Sequence, residues 1–229
     1  MTLVLAAHGT RDPAGLGVIE ALTGQVRALL PGVRVALAYA DVCEPTVDTV
    51  LRELGGPAVV VPAFLAAGYH VRADLPVQVD GRAVITPPLG PAPALVAAAH
   101  DRLVDAGWRP GDPVVLAAAG SSDPRAGADV RQAAARLGSR IGAPVRIGYL
   151  ASASPRLGDV LAGVTGRVAV ASWLLAPGAF HRALAESGAG VVAEPIGAHP
   201  EVARLIATRY TGIIACSTTL RRLTGSPTG

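Results

Sequence analysis

The sequence predicts an α/β fold built from two tandem parallel-sheet units related by internal duplication. Two observations carry that expectation: short apolar runs alternate with helix-period segments, and the alternation occurs twice. Leu3-Val4-Leu5-Ala6-Ala7-His8-Gly9-Thr10-Arg11-Asp12-Pro13 aligns with Val114-Val115-Leu116-Ala117-Ala118-Ala119-Gly120-Ser121-Ser122-Asp123-Pro124, an offset of 111 residues. Val35 to Tyr39 with Pro45 align with Val145 to Tyr149 with Pro155, offset by 110. Phe64-Leu65-Ala66-Ala67-Gly68 matches Leu174-Leu175-Ala176-Pro177-Gly178 at the same offset, and Pro88-Leu89-Gly90 matches Pro195-Ile196-Gly197 at 107. Four ordered blocks at near-constant spacing mark two copies of a unit of about 110 residues. The expected units are 1–110 and 111–229, joined near Trp108-Arg109-Pro110-Gly111-Asp112-Pro113.

In the first unit Leu3–Ala7, Val33–Tyr39, Ala58–Ala63 and Ala83–Ile85 read as buried parallel strands, because they are Val-rich and do not alternate with polar residues. Between the first two, Leu16, Ile19, Thr23, Val26 and Leu30 recur at three-to-four spacing, the stripe of an amphipathic helix. Asp12 offers a side-chain acceptor for its N-cap, and Pro13 fits the first turn, where an N–H has no partner. Asp123-Pro124 repeats that start signal, with Val130, Ala134 and Leu137 behind it. Ala94–Val104 is a further helical pattern and carries His100.

Composition narrows the function classes. The 229 residues are 51% hydrophobic, 16% charged and 3% aromatic, and mean hydropathy is +0.44, which excludes disorder. The 27 glycines and 19 prolines are scattered rather than clustered. All 20 basic residues are Arg, net charge is +3, and the longest basic run is Arg221-Arg222. With so few aromatics to stack bases, this is no nucleic-acid surface. Arg forks suit carboxylates better. Cys43 and Cys216 form neither a disulfide framework nor a CxxC site. The first residues lack a basic signal-peptide region, and no apolar run reaches the roughly 18 residues of a membrane span, so a soluble cytoplasmic chain is expected.

Ligands of parallel α/β folds sit beyond the carboxyl ends of the strands. The first strand ends at His8-Gly9-Thr10-Arg11-Asp12, the second at Asp41-Val42-Cys43-Glu44-Pro45-Thr46, and the third at Phe64-Leu65-Ala66-Ala67-Gly68-Tyr69-His70. Their convergence would bring His8, Glu44 and His70 together. The second unit has Ala119 and Phe180 in place of His8 and His70, and Ala151 and Ser154 in place of Asp41 and Glu44. One cleft is therefore expected, with the chemistry in the first unit and walls supplied by the second. His181 and His199 are weaker candidates for ligand contact; His100 reads as a helix residue.

Ala7-His8-Gly9-Thr10-Arg11-Asp12-Pro13, Glu44-Pro45-Thr46, Pro62-Ala63-Phe64-Leu65-Ala66-Ala67-Gly68-Tyr69-His70 and Pro88-Leu89-Gly90 together resemble the class II chelatases, specifically the sirohydrochlorin cobaltochelatases and ferrochelatases of cobalamin and sirohaem synthesis. The resemblance spans the chain and corresponds to the fused two-unit form of that family, which implies a monomer. It implies that His8 binds the metal and accepts a proton, that His70 is the second metal ligand, and that Glu44, Leu65, Ala66, Ala67, Gly68 and Tyr69 contact the tetrapyrrole. It also implies a divalent metal as substrate, Co²⁺ or Fe²⁺ with Ni²⁺ a further candidate, and sirohydrochlorin as partner. Thr10 stands where Ser is commoner, and Ala67 removes a polar position. The sequence lacks the cysteine-rich iron–sulfur segment and the His-rich tract of some long members, and no organic cofactor is expected.

The chemistry suits these residue types. Metal insertion removes two pyrrole protons and strips water from the metal, and imidazole serves as both ligand and proton acceptor. Imidazole binds Fe, Co and Ni alike. Two His can surrender an ion that a closed four-ligand site would keep. Small residues at Ala66, Ala67 and Gly68 let a flat ring approach the backbone, and Arg11 and Arg72 are candidate rim partners for its carboxylates. A histidine phosphatase would need Arg before the His, where Ala7 stands. A non-catalytic tetrapyrrole or metal carrier on the same scaffold is the alternative.

Overall fold

The computed structural model describes residues 1–224, with side chains to residue 217. Strands β1 (Thr2–Ala7), β2 (Val35–Tyr39), β3 (Ala58–Pro62) and β4 (Ala83–Ile85) form a parallel sheet in the order β2-β1-β3-β4. Strands β5 (Val114–Ala118), β6 (Val145–Tyr149), β7 (Ala169–Trp173) and β8 (Val191–Val192) repeat it as β6-β5-β7-β8. The helices are α1 (Pro13–Leu29), α2 (Val47–Leu54), α3 (Leu75–Val79), α4 (Pro93–Asp105), α5 (Pro124–Ile141), α6 (Leu157–Ala162), α7 (Ala179–Ala185) and α8 (Pro200–Thr224), with a π-helical turn at His70–Asp74.

The start signals act as the sequence predicts. Asp12 accepts the Ala14 N–H at 3.0 Å and Asp123 the Arg125 N–H at 2.9 Å. Thr23, the polar member of the α1 stripe, is buried with its hydroxyl donating to Ile19 O at 2.7 Å, so its burial leaves no orphan proton. The second strand is shorter than expected. Val33 N–H closes a turn onto Leu30 O (3.1 Å), and pairing begins at Val35.

Successive strand residues face opposite sides, and in the central strands β1, β3, β5 and β7 both sides are dry. Val4, Ala6 and Val60 pack outward beneath Val50, Leu51, Leu75 and Val79, and Val115, Ala117 and Val170 pack beneath Leu157 and Leu184. The inner residues Leu3, Leu5, Val59 and Val61 share one core with Val114, Leu116, Ala169 and Ala171 of the other sheet. Leu22, Leu95, Leu103, Leu137 and Ile206 from α1, α4, α5 and α8 fill the space between. Helix α4 packs on β7 and α8 packs on β3, so each sheet is covered by a helix from the opposite half. Each fully buried Leu is worth about 2 kcal/mol over exposure. The halves are thus joined by the same burial that folds them. Among the described residues, no helix is long and apolar enough to cross a membrane.

Candidate metal centre

Ala7 and Tyr39 are register partners, so β1 and β2 end level and the chains beyond them run side by side. Asp41 N–H donates to His8 O at 3.1 Å, and Cys43 N–H donates to Asp41 O at 2.7 Å. The second bond closes a three-residue turn around Val42, whose φ of 64° is unfavourable for a β-branched residue. Gly9 has φ 95°, and a Cβ there would stand 2.3 Å from Asp41 O. Only glycine lets the His8 and Asp41 loops lie this close.

His70 comes from the third strand end. The loop after β3 is backed by Gly90, whose N–H donates to Phe64 O at 3.0 Å and whose Cβ would meet Leu65 O at 1.8 Å. That contact explains the Pro88-Leu89-Gly90 block. His70 then opens the π-helical turn, a local geometry common at functional sites. Its Nδ1 donates to Asp74 Oδ2 at 2.6 Å, one turn on. That bond commits Nδ1 and holds the ring in orientation, which makes Nε2 the nitrogen able to face a metal. His8 Nδ1 donates to Gly9 O at 3.2 Å, so its Nε2 is likewise the nitrogen not engaged by the protein.

The two rings meet edge to face, with centroids 4.5 Å apart and planes at 87°. One ligand atom from each of His8, Asp41 and His70 lies within 4.8 Å of the others. Two imidazole nitrogens and one carboxylate oxygen can hold a divalent first-row metal and leave positions open. His8 and His70 line a cleft of about 650 Å³ formed from both halves. Leu65, Ala66, Gly68, Tyr69 and Phe64 line one side, and Tyr149, Trp173, Leu174, Phe180 and His181 the other. Tyr39 lies at its base; burial pushes the phenol up from its ordinary value, with the Cys43 thiol and Glu20 adding to it.

A model of the CbiX protein family matches residues 2–106 and again 113–212. The chain belongs to the CbiX family. The double match falls on the two sheets, and the assignment agrees with the class II chelatase resemblance of the motif blocks. A sirohydrochlorin cobaltochelatase of Methanopyrus kandleri is 27% identical, covering 46% of this chain and 96% of that protein. SirB from Bacillus subtilis with Fe³⁺ superposes with a TM-score of 0.82 at 21% identity, over 96% of this chain and 98% of that one. The sirohydrochlorin chelatase SirB from Bacillus subtilis subspecies spizizenii in complex with cobalt gives 0.77 at 23%, over 91% and 94%. At such identities the two structures attest the shared fold.

In this CbiX-family chain, four of the six residues expected at the tetrapyrrole line the cleft: Leu65, Ala66, Gly68 and Tyr69. Ala67 does not; its N–H donates to Asp129 Oδ2 on α5 at 2.8 Å. Glu44 does not line the cleft either. The turn at Val42 carries it away, and its Oε2 accepts the Thr46 N–H at 2.9 Å beside the start of α2. Asp41 takes the place beside the His pair, a residue whose position directly after β2 matches that of His8 after β1. Asp74 was legible only as a carboxylate four residues after His70. His181 lines the cleft, whereas His199 and His100 lie on either side of Asp101, each with a ring nitrogen 3.4 Å from its carboxylate. Arg11 is exposed, and Arg72 Nε donates to Ala67 O at 3.0 Å.

Proposed function

We propose that this protein is a sirohydrochlorin chelatase, a lyase that inserts Co²⁺ or Fe²⁺ into the tetrapyrrole. The observation that carries this reading is the edge-to-face pair of His8 and His70 beside Asp41, at one end of a cleft large enough for a macrocycle. His8 and His70 bind the incoming metal through Nε2, with Asp41 as a third ligand beside the expected pair. Phe64 and the loop Leu65, Ala66, Gly68 and Tyr69 receive the flat ring, whose close approach the small side chains of Ala66 and Gly68 permit. The divalent ion replaces two pyrrole protons. As the ion moves into the ring, Nε2 of His8 lets go of it and is free to take one pyrrole proton; the other passes to Asp41 or water, and both leave to solvent, so charge balances across the exchange. Positioned proton acceptors of this kind contribute about 100- to 10,000-fold to rate. No organic cofactor enters the scheme. The relatives named for sirohydrochlorin and for cobalt, and the fold shared with an Fe³⁺-bearing SirB, support the substrate and metal classes.

The test is multiple-turnover conversion of sirohydrochlorin, followed by its absorbance change, with substrate in large excess over protein and Co²⁺ or Fe²⁺ supplied separately. Many equivalents converted above the spontaneous rate are expected. Conversion that stops at one equivalent, or no acceleration with either metal, overturns the reading in favour of a carrier.

A further inference from the structure

The second half does more than wall the cleft: it grips the loop that carries His70. The N-cap Asp123 and the α5 residues Ala126 and Asp129 follow one another at three-residue intervals along the same side of the helix start. The loop rests on that side, since a Cβ at Gly68 would stand 3.4 Å from Ser121 Oγ and 4.0 Å from Ala126 Cβ. The peptide of Ala67 is held on both sides. Its N–H donates to Asp129 Oδ2 at 2.8 Å. Its C=O accepts from Arg72 Nε at 3.0 Å, and that Nε lies 3.8 Å from Asp123.

The duplicate supplies the control. Arg182 and Asp12 form an ion pair between the halves and correspond to Arg72 and Asp123. That contact survives in both copies. Ala67, however, corresponds to Pro177, which has no N–H, and Asp129 corresponds to Val18, which has no acceptor. Donor and acceptor are present together where the loop leads to a histidine and absent together where it leads to Phe180.

We propose that Asp129 is a positioning residue for the metal centre: by accepting the Ala67 N–H it fixes the loop that sets His70 against His8. This rests on the reading of His8 and His70 as metal ligands. A carboxylate hydrogen bond to a backbone N–H is among the stronger ones, and residues supporting metal ligands typically carry about 10- to 100-fold in affinity.

The experiment titrates Co²⁺, by its visible absorption, into full-length wild type, Asp129→Ala, Asp129→Asn, Ala67→Pro and the Asp129→Ala/Ala67→Pro double variant. Amide hydrogen exchange of the peptide spanning 64–72 is measured without metal. Asp129→Ala should weaken Co²⁺ binding about 10-fold and speed exchange of that peptide. Asp129→Asn, whose amide oxygen accepts the same bond, should keep most of the affinity. Once Ala67→Pro has removed the donor, Asp129→Ala should cost nothing further. Unchanged exchange and affinity in Asp129→Ala would overturn the proposal, as would an undiminished loss in the Ala67→Pro background. Wild type that takes up no Co²⁺ would instead overturn the metal-site reading beneath it.

Discussion

The two halves share a backbone and differ in chemistry. Gly9 and Gly120 both have φ 95°, and a Cβ on either would stand 2.3 or 2.1 Å from the carbonyl oxygen of Asp41 or Ala151. Val42 and Ser152 both carry positive φ at the following turn, and Tyr39 N–H to Pro45 O recurs as Tyr149 N–H to Pro155 O, each 2.9 Å. Yet His8, Asp41 and His70 face Ala119, Ala151 and Phe180 at the matching positions. The glycines and turns therefore serve the joining of neighbouring strand ends, which both sheets need. The imidazoles and the carboxylate serve something only one half does. A duplicated fold separates these two roles inside a single chain.

The comparison breaks most sharply at His70. His70→Phe makes the first half resemble the second and should cut metal insertion at least about 100-fold, without lowering the melting temperature. The reciprocal Phe180→His should restore nothing, because Ala119 and Ala151 offer no further ligand. Activity conferred by Phe180→His would show that the second half holds a latent centre.

Gly120→Ala sharpens the same contrast from the structural side. Positive φ and a backbone clash should cost about 2 kcal/mol or more in urea unfolding. Gly9→Ala should cost as much and also weaken metal binding, since the Asp41 loop must move. Equal metal binding in both variants would detach the His8 turn from the site. A smaller effect is expected at the carboxylates: Asp41→Ala should reduce insertion about 10-fold, while Glu44→Ala, with its side chain turned to Thr46, should leave the rate near wild type.

The smallest effect belongs to the ion pair between halves. The Arg182 guanidinium, and then the Ala14 N–H, hold the Asp12 carboxyl below its usual value. Its contribution to folding is therefore complete above the ordinary carboxylate pKa of about 4 and fades as pH falls through the lowered one. The stability gap between wild type and Asp12→Asn should be constant from pH 7 to about 5 and close toward pH 3, as measured by urea melts. A gap that widens on acidification would contradict the assigned pair.

Much of the fold was legible because both faces of the central strands β1, β3, β5 and β7 are buried, leaving continuous apolar runs, and because Asp12-Pro13 and Asp123-Pro124 mark helix starts chemically. The exchange of covering helices was not legible. Leu95 and Ile206 are apolar on one face whichever sheet they meet, so periodicity shows that α4 and α8 are buried but not against what. The His pair was legible from its place at two strand ends. Glu44 was singled out through the Glu44-Pro45-Thr46 block; that Asp41 lies beside the His pair instead follows from the turn at Val42, a backbone conformation a valine does not advertise. Asp129 lies 62 residues from the peptide it holds, and only the paired changes to Pro177 and Val18 hint at it.

Anomalous scattering at the cobalt edge from crystals soaked in Co²⁺ tests most directly whether the chemistry resides in one half. One strong peak between His8, Asp41 and His70, with none beside Ala119, Ala151 and Phe180, is the result expected. A peak of equal height in the second half, or no peak at the His pair, would contradict the account.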